Sequence, residues 1–100
     1  MSESNKNIIN VGPKYTFQYK NMTFNSYNVN TGEGLSKHEH TFPHLTVTVS
    51  GKTALRKENI YKEMDKDHPP IILKENEWHE VEALEDNTVF INIFEGKDNA

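Results

Sequence analysis

Gly32-Glu33-Gly34-Leu35-Ser36-Lys37-His38-Glu39-His40-Thr41-Phe42-Pro43-His44-Leu45-Thr46-Val47-Thr48-Val49-Ser50-Gly51 is the stretch on which the reading of this chain turns. His38 and His40 are two residues apart, so on an extended backbone their rings leave the same face. His44 lies beyond a bend at Pro43 and can return to the same point from a new direction. From His44 to Ser50 the residues alternate and are rich in β-branched side chains, which marks a strand. Gly51-Lys52 is a tight turn into a further strand over 53–57. A fourth histidine, His79, opens a later alternating run that ends at Leu84. Neutral imidazole is the commonest metal ligand among side chains. Three converging histidines, joined by a fourth from a distant strand, therefore describe a site for one divalent metal.

The same alternation continues outward in both directions. Tyr15, Phe17 and Tyr19 alternate with polar neighbours, so a half-buried strand is expected there, and residues 22–29 read as a second. Thr31 to Gly34 is turn chemistry. Residues 60–66 fit a strand, a turn or one helical turn. Asp67-His68-Pro69-Pro70 is a loop, with His68 exposed in it, and Ile71-Ile72-Leu73 is a short strand. Glu85-Asp86-Asn87 turns into a strongly apolar strand over 88–94. No segment shows helical periodicity. About eight short strands with closely spaced turns describe an all-β sandwich or barrel. Residues 1–12 are read as a flexible lead-in and 13–100 as one domain.

Composition narrows the function classes. One hundred residues make a single small domain able to bury a core without staples. The net charge of −4, with lysines scattered among acids, offers no basic stripe for nucleic acid. No apolar run approaches membrane-spanning length, and the first residues lack the apolar core of a secretory signal. A cytoplasmic location is the default expectation. With no cysteine, disulfides and thiolate ligands are excluded together.

The pattern Gly32-(x5)-His38-x-His40-(x3)-His44-(x6)-Gly51 resembles the first motif of the cupins, Gly-(x5)-His-x-His-(x3,4)-Glu-(x6)-Gly. Every spacing agrees, and one residue type departs: His44 stands where the family usually carries Glu. Of the second motif, Gly-(x5)-Pro-x-Gly-(x2)-His-(x3)-Asn, only His79 survives. His68, Lys74, Asn76 and Ala83 occupy its other positions, although Asn76 tolerates the left-handed conformation of the missing glycine. The likeness covers about residues 30–94 and is strongest to small single-domain cupins with four-histidine metal sites. It implies a double-stranded β-helix, the jelly-roll barrel, with His38, His40, His44 and His79 holding one metal inside it.

Four neutral ligands leave the metal's double positive charge uncompensated, which favours a small anionic, chelating substrate. Octahedral coordination would keep two positions open, as oxygen-using sites require, whereas a closed zinc tetrahedron would be chemically quiet. Imidazole suits Fe, Ni, Cu, Zn and, less well, Mn. The resemblance leans toward a metal-dependent enzyme, a dioxygenase-like oxidoreductase. A non-catalytic metal- or ligand-binding module and a metal-dependent lyase or isomerase remain open. Phe42, between two of the histidines, and Phe90 and Asn92, of one parity on the last strand, are the expected substrate-binding residues. Trp78 is expected to pack against the strand of His79. Thr46 and Thr48 share the parity of His44 and should face the cavity. Glu80 and Glu82 should then face water, opposite His79 and Val81. Leu45, Val47 and Val49 on the far face would need a cover, either the N-terminal strand or a second subunit, and a homodimer is expected.

Overall fold

In the computed structural model, residues 4–5 and 7–96 are described. Ten strands run in chain order: β1 (Ile9–Asn10), β2 (Tyr15–Tyr19), β3 (Met22–Val29), β4 (Glu33–His38), β5 (His44–Ser50), β6 (Thr53–Lys57), β7 (Ile60–Met64), β8 (Ile71–Leu73), β9 (His79–Ala83) and β10 (Thr88–Glu95). They form two five-stranded sheets, β1-β4-β9-β6-β7 and β2-β3-β10-β5-β8, called A and B below. Every pairing is antiparallel except β1 with β4. This is the all-β architecture expected from the strand pattern, in the two-sheet jelly-roll form that the resemblance implied. Among the described residues no helix is long and apolar enough to cross a membrane.

Alternation decides which side chains meet between the sheets. On β3 and β10 the residues Tyr27, Val29 and Phe90 point inward, and sheet A answers with Leu55, Val81 and Ala83; Met64 and Leu73 complete the core. The central pair is long and regular, Thr88↔Val29 through Glu95↔Met22 in unbroken register. It therefore sets the frame on which β5 is hung.

Four elements depart from the sequence reading, each for a local reason. Gly34 lies inside β4 rather than in a turn. Its φ of 156° lets the backbone run against β9, where a Cβ would overlap the carbonyl oxygen of Val81. Residues 60–64 form the edge strand β7, closed onto β6 by a Glu58-Asn59 turn with Asn59 at φ 60°. Only Met64 of that strand is buried, so no alternation advertised it. Within the lead-in, Ile8 is buried and Ile9–Asn10 pairs with Glu33 and Gly34. β2 is exposed along its whole length rather than half-buried, because it is an edge strand of sheet B with no layer over its aromatic face.

Glu80 is a further correction, since it is fully buried. Its carboxylate accepts from Arg56 Nη1 at 3.2 Å, Ser4 Oγ at 2.7 Å and the Asn5 amide at 2.8 Å. Arg56 also donates to Glu82 at 2.9 Å. The N-terminal segment thus straps the outer face of sheet A and removes Glu80 from solvent.

Candidate metal centre

Three elements carry the four histidines to one end of the barrel. His38 closes β4 and is the direct cross-strand partner of His79 at the start of β9, both in sheet A. His44 opens β5 in sheet B. His40 lies in the connection between β4 and β5, and its carbonyl accepts from the Asn76 amide at 2.7 Å. Asn76 adopts φ 59°, the left-handed conformation expected of it, so the turn before His79 also pins the loop bearing His40.

Side-chain nitrogens of His38, His40 and His79 lie within 4.8 Å of one another. His44 stands outside that set of three but touches it. Its Nε2 is 3.2 Å from Nε2 of His79, and its ring centroid is 5.2 Å from that of His40. The structure therefore brings all four rings together, with three forming the tight group.

The tautomers follow from the partners. A carbonyl oxygen only accepts, so a ring nitrogen against one must carry the proton. Nδ1 of His38 donates to the Ser36 carbonyl at 2.6 Å, and Nδ1 of His79 to that of Glu77 at 3.0 Å. Nδ1 of His44 donates to the Leu45 carbonyl at 3.3 Å, with Thr46 Oγ1 close by at 3.4 Å. That leaves Nε2 of each ring with a bare lone pair, and those of His44 and His79 are turned toward each other, the orientation that second-layer hydrogen bonds impose on metal-binding histidines. Two such lone pairs 3.2 Å apart repel unless a cation lies between them. Burial pushes His79 down to about 3 and His44 down to about 4, with the neighbouring histidines adding to the effect. Burial and then His38 lower His40 as well. A proton is thus a poor occupant at neutral pH, and the donor set fits a divalent transition metal.

Beside the histidines opens a cavity of about 340 Å³. His38, His40 and His44 reach it, and Phe42 and Asn92 line it. Phe42 stacks on His40 at 4.9 Å and meets Phe94 at 5.1 Å, forming an apolar wall. Phe90 is elsewhere. It is fully buried in the core and stacks at 4.7 Å under Tyr27, which takes the place on the cavity wall. Trp78 is half-buried with Lys37 4.8 Å over its ring.

Sequence reasoning missed Tyr27 and Asn25. Thr16 Oγ1 donates to Asn25 Oδ1 at 2.8 Å, and Thr46 Oγ1 to Asn92 Oδ1 at 2.7 Å. Each amide therefore turns its NH2 the other way, and both hydrogen-bond the Tyr27 phenol. Burial pushes that phenol up against the pull of those two amides, so it keeps its proton. The only signal was the parity of β3, which puts Asn25 and Tyr27 inward beside Asn92. Among the described residues, no Asp, Glu, Lys or Arg side chain lines the cavity.

No family model and no curated protein sequence matches the chain. Solved structures do. A cupin 2 domain-containing protein from Halorhodospira halophila superposes with a TM-score of 0.74 at 14% identity, over 86% of this chain and 64% of that one. KdgF from a Halomonas species gives 0.71 at 15% identity, over 78% and 72%. An uncharacterized conserved protein with a double-stranded β-helix domain from Klebsiella pneumoniae gives 0.70 at 14% identity, over 99% and 85%. At these identities the likeness establishes the fold, the cupin double-stranded β-helix.

Proposed function

We propose that this chain is a metal-dependent enzyme of the oxygenase-like kind, acting on a small chelating substrate, with His38, His40, His44 and His79 as the metal's ligands. The observation that carries the reading is the pair of Nε2 lone pairs of His44 and His79 held face to face by backbone carbonyls. When bound, a divalent transition metal supplies a double positive charge that no carboxylate among the described lining residues offsets, and an anionic substrate supplies the balance.

The chain's own residues do the rest. The three Nδ1–H bonds fix the ring orientations so that the donors need little rearrangement on loading. With both amides donating to the Tyr27 oxygen, its own O–H is free to donate to a substrate oxygen in the cavity. Thr46 links that wall to the metal side, since its oxygen sits between His44 Nδ1 and Asn92. Phe42 and Phe94 shield the cavity from water.

Elemental analysis of protein purified without added metal, followed by titration of apoprotein with Fe, Mn, Ni, Cu and Zn, tests the reading. One equivalent bound, lost in His79→Ala, and oxygen-dependent turnover of a chelating substrate are expected. Wild-type protein that takes up none of the five metals sinks it. A second reading, a non-catalytic binding module, is favoured by one observation: among the described residues no Asp, Glu or Lys lines the cavity to serve as a general base. Tightly held zinc and no turnover would select it.

A further inference from the structure

Leu35 and His38 both line the cavity, although they are three residues apart on one strand. Strict alternation would turn His38 away from the face that Leu35 shares with the core. The register of β4 on β9 resolves this. Leu35 pairs with Val81 and His38 with His79, so Ser36 and Lys37 together stand opposite the single residue Glu80. One extra residue in β4 reverses the parity and turns His38 inward, as bulges beside functional sites do. The cost is a broken ladder at Ser36. On its other side β1 is two residues long, and its pairing stops at Gly34. Yet the Ser36 carbonyl is the acceptor that holds Nδ1 of His38 at 2.6 Å.

Asn10 supplies the support that neither ladder gives. Its Oδ1 accepts from the Ser36 amide at 2.8 Å, and its Nδ2 donates to Ser36 Oγ at 2.8 Å. Gripped at two points, Ser36 cannot swivel, and its carbonyl stays aimed at the ring of His38. The backbone around Asn10 is itself anchored. The Ile9 amide donates to the Gly32 carbonyl at 3.0 Å and the Val11 amide to that of Gly34 at 3.1 Å, while Ile8 is buried. From there the chain crosses to sheet B, where the Lys14 amide reaches the Ser26 carbonyl at 2.8 Å. Asn10 and Pro13 line the cavity along this crossing.

We infer that Asn10 is a positioning residue of the metal centre: it locks the extra residue of β4 that turns His38 inward, and orients the His38 ring through the Ser36 carbonyl. The inference rests on the ligand role proposed for His38. The rival account makes the Asn10 contacts a mere fastening of the N-terminal segment to sheet A. Ser4 and Asn5 fasten that segment too, by their bonds to Glu80 and Glu82, and they lie away from Ser36 in the chain of contacts. The two roles therefore separate by experiment.

Two measurements on the full chain test it: Zn²⁺ affinity by competition with a chelating dye, and long-range ¹⁵N spectra of the metal-free imidazoles at about pH 8.5, above the ordinary histidine range. In wild type His38 should appear as one tautomer, with its proton on Nδ1. Asn10→Ala should draw its two nitrogen signals toward each other as the ring exchanges between tautomers. The same variant should bind Zn²⁺ about 10-fold more weakly, the low end of the roughly 10–100-fold loss met when the group behind a ligand is removed. Asn10→Asp should restore the single tautomer and at least the wild-type affinity, because a carboxylate accepts from both the Ser36 amide and its hydroxyl. Ser4→Ala combined with Asn5→Ala should loosen the segment and leave both readouts unchanged. Asn10 is exposed, so its variants should fold, as thermal unfolding will check. Wild-type affinity with an unmoved His38 spectrum in Asn10→Ala overturns the inference, as do equal changes in the Ser4 and Asn5 variant. Wild type that binds no Zn²⁺ speaks against the proposed ligand role alone, and the imidazole spectra then decide whether Asn10 orients His38.

Discussion

His44 and His79 belong to opposite sheets, yet their Nε2 atoms are 3.2 Å apart. A cation held there would staple sheet A to sheet B at the open end of the barrel. Binding that requires the native arrangement stabilises it by mass action, about 2.7 kcal/mol at a ligand concentration 100 times Kd. In a domain of this size that raises Tm by roughly 10 °C or more. Differential scanning of chelated and metal-loaded protein should show this shift. His79→Ala should abolish it, because His79 meets the other three rings. An unchanged Tm on loading would rule out the staple.

Acid should destabilise the metal-free protein. In the folded state His44 and His79 are held at about 4 and about 3, against 6.5 in an unfolded chain. Between those values the unfolded chain binds protons that the folded one refuses, so stability rises with pH across the window. Each histidine contributes up to about 1.4 kcal/mol per pH unit there, and neither contributes further above pH 7. Urea midpoints at several pH values from 7.5 downward should fall below about pH 6.5; a flat profile to pH 5 would contradict the buried neutral rings.

Removing the Tyr27 hydroxyl should separate binding from folding. Tyr27→Phe keeps the stack on Phe90 and loses only the hydrogen bonds from Asn25 and Asn92. A stability loss of about 1–2 kcal/mol is expected. Metal affinity should be unchanged while substrate affinity or turnover drops at least about 10-fold, the worth of one buried hydrogen bond to a substrate oxygen. Equal activity in both proteins would remove Tyr27 from the site.

Gly32, in the turn before β4, and Gly34, inside that strand, should respond differently to alanine. At Gly34 a Cβ meets the Val81 backbone, which cannot step aside without opening the β4–β9 ladder. Gly34→Ala should cost about 3 kcal/mol or more. Gly32, at φ 88°, has open space around it, so Gly32→Ala pays only the backbone penalty of about 1–2 kcal/mol. Comparable unfolding midpoints for the two variants would refute this account of β4.

Arg56 is the counterion of a carboxylate with no access to water. Arg56→Met strands Glu80 without its charge partner and should cost about 3–5 kcal/mol. Glu80→Gln should cost less, since it keeps the shape and removes the charge. Both should loosen the strap, seen as faster hydrogen exchange at the Asn5 amide. Exchange at wild-type rates would mean that Ser4 and Asn5 hold by other contacts.

Much of this was legible in the sequence because it depends on periodicity and spacing. Alternation on 44–50 and 79–83 and the apolar run on 88–94 marked strands, and the intervals Gly32, His38, His40, His44 and Gly51 named the ligand candidates and the fold they resemble. Those are local quantities: a strand's parity decides which side chains share a face, wherever the strand goes. Partnership across the barrel is not local. That β2 would be bare while Glu80 is buried depended on which sheet the N-terminal segment joined. Tyr27 displaced Phe90 at the cavity because the two stack, and the outer ring alone can face the opening. The proximity of His44 to His79 arose only when the two sheets closed over each other, since no interval along the chain measures the gap between them.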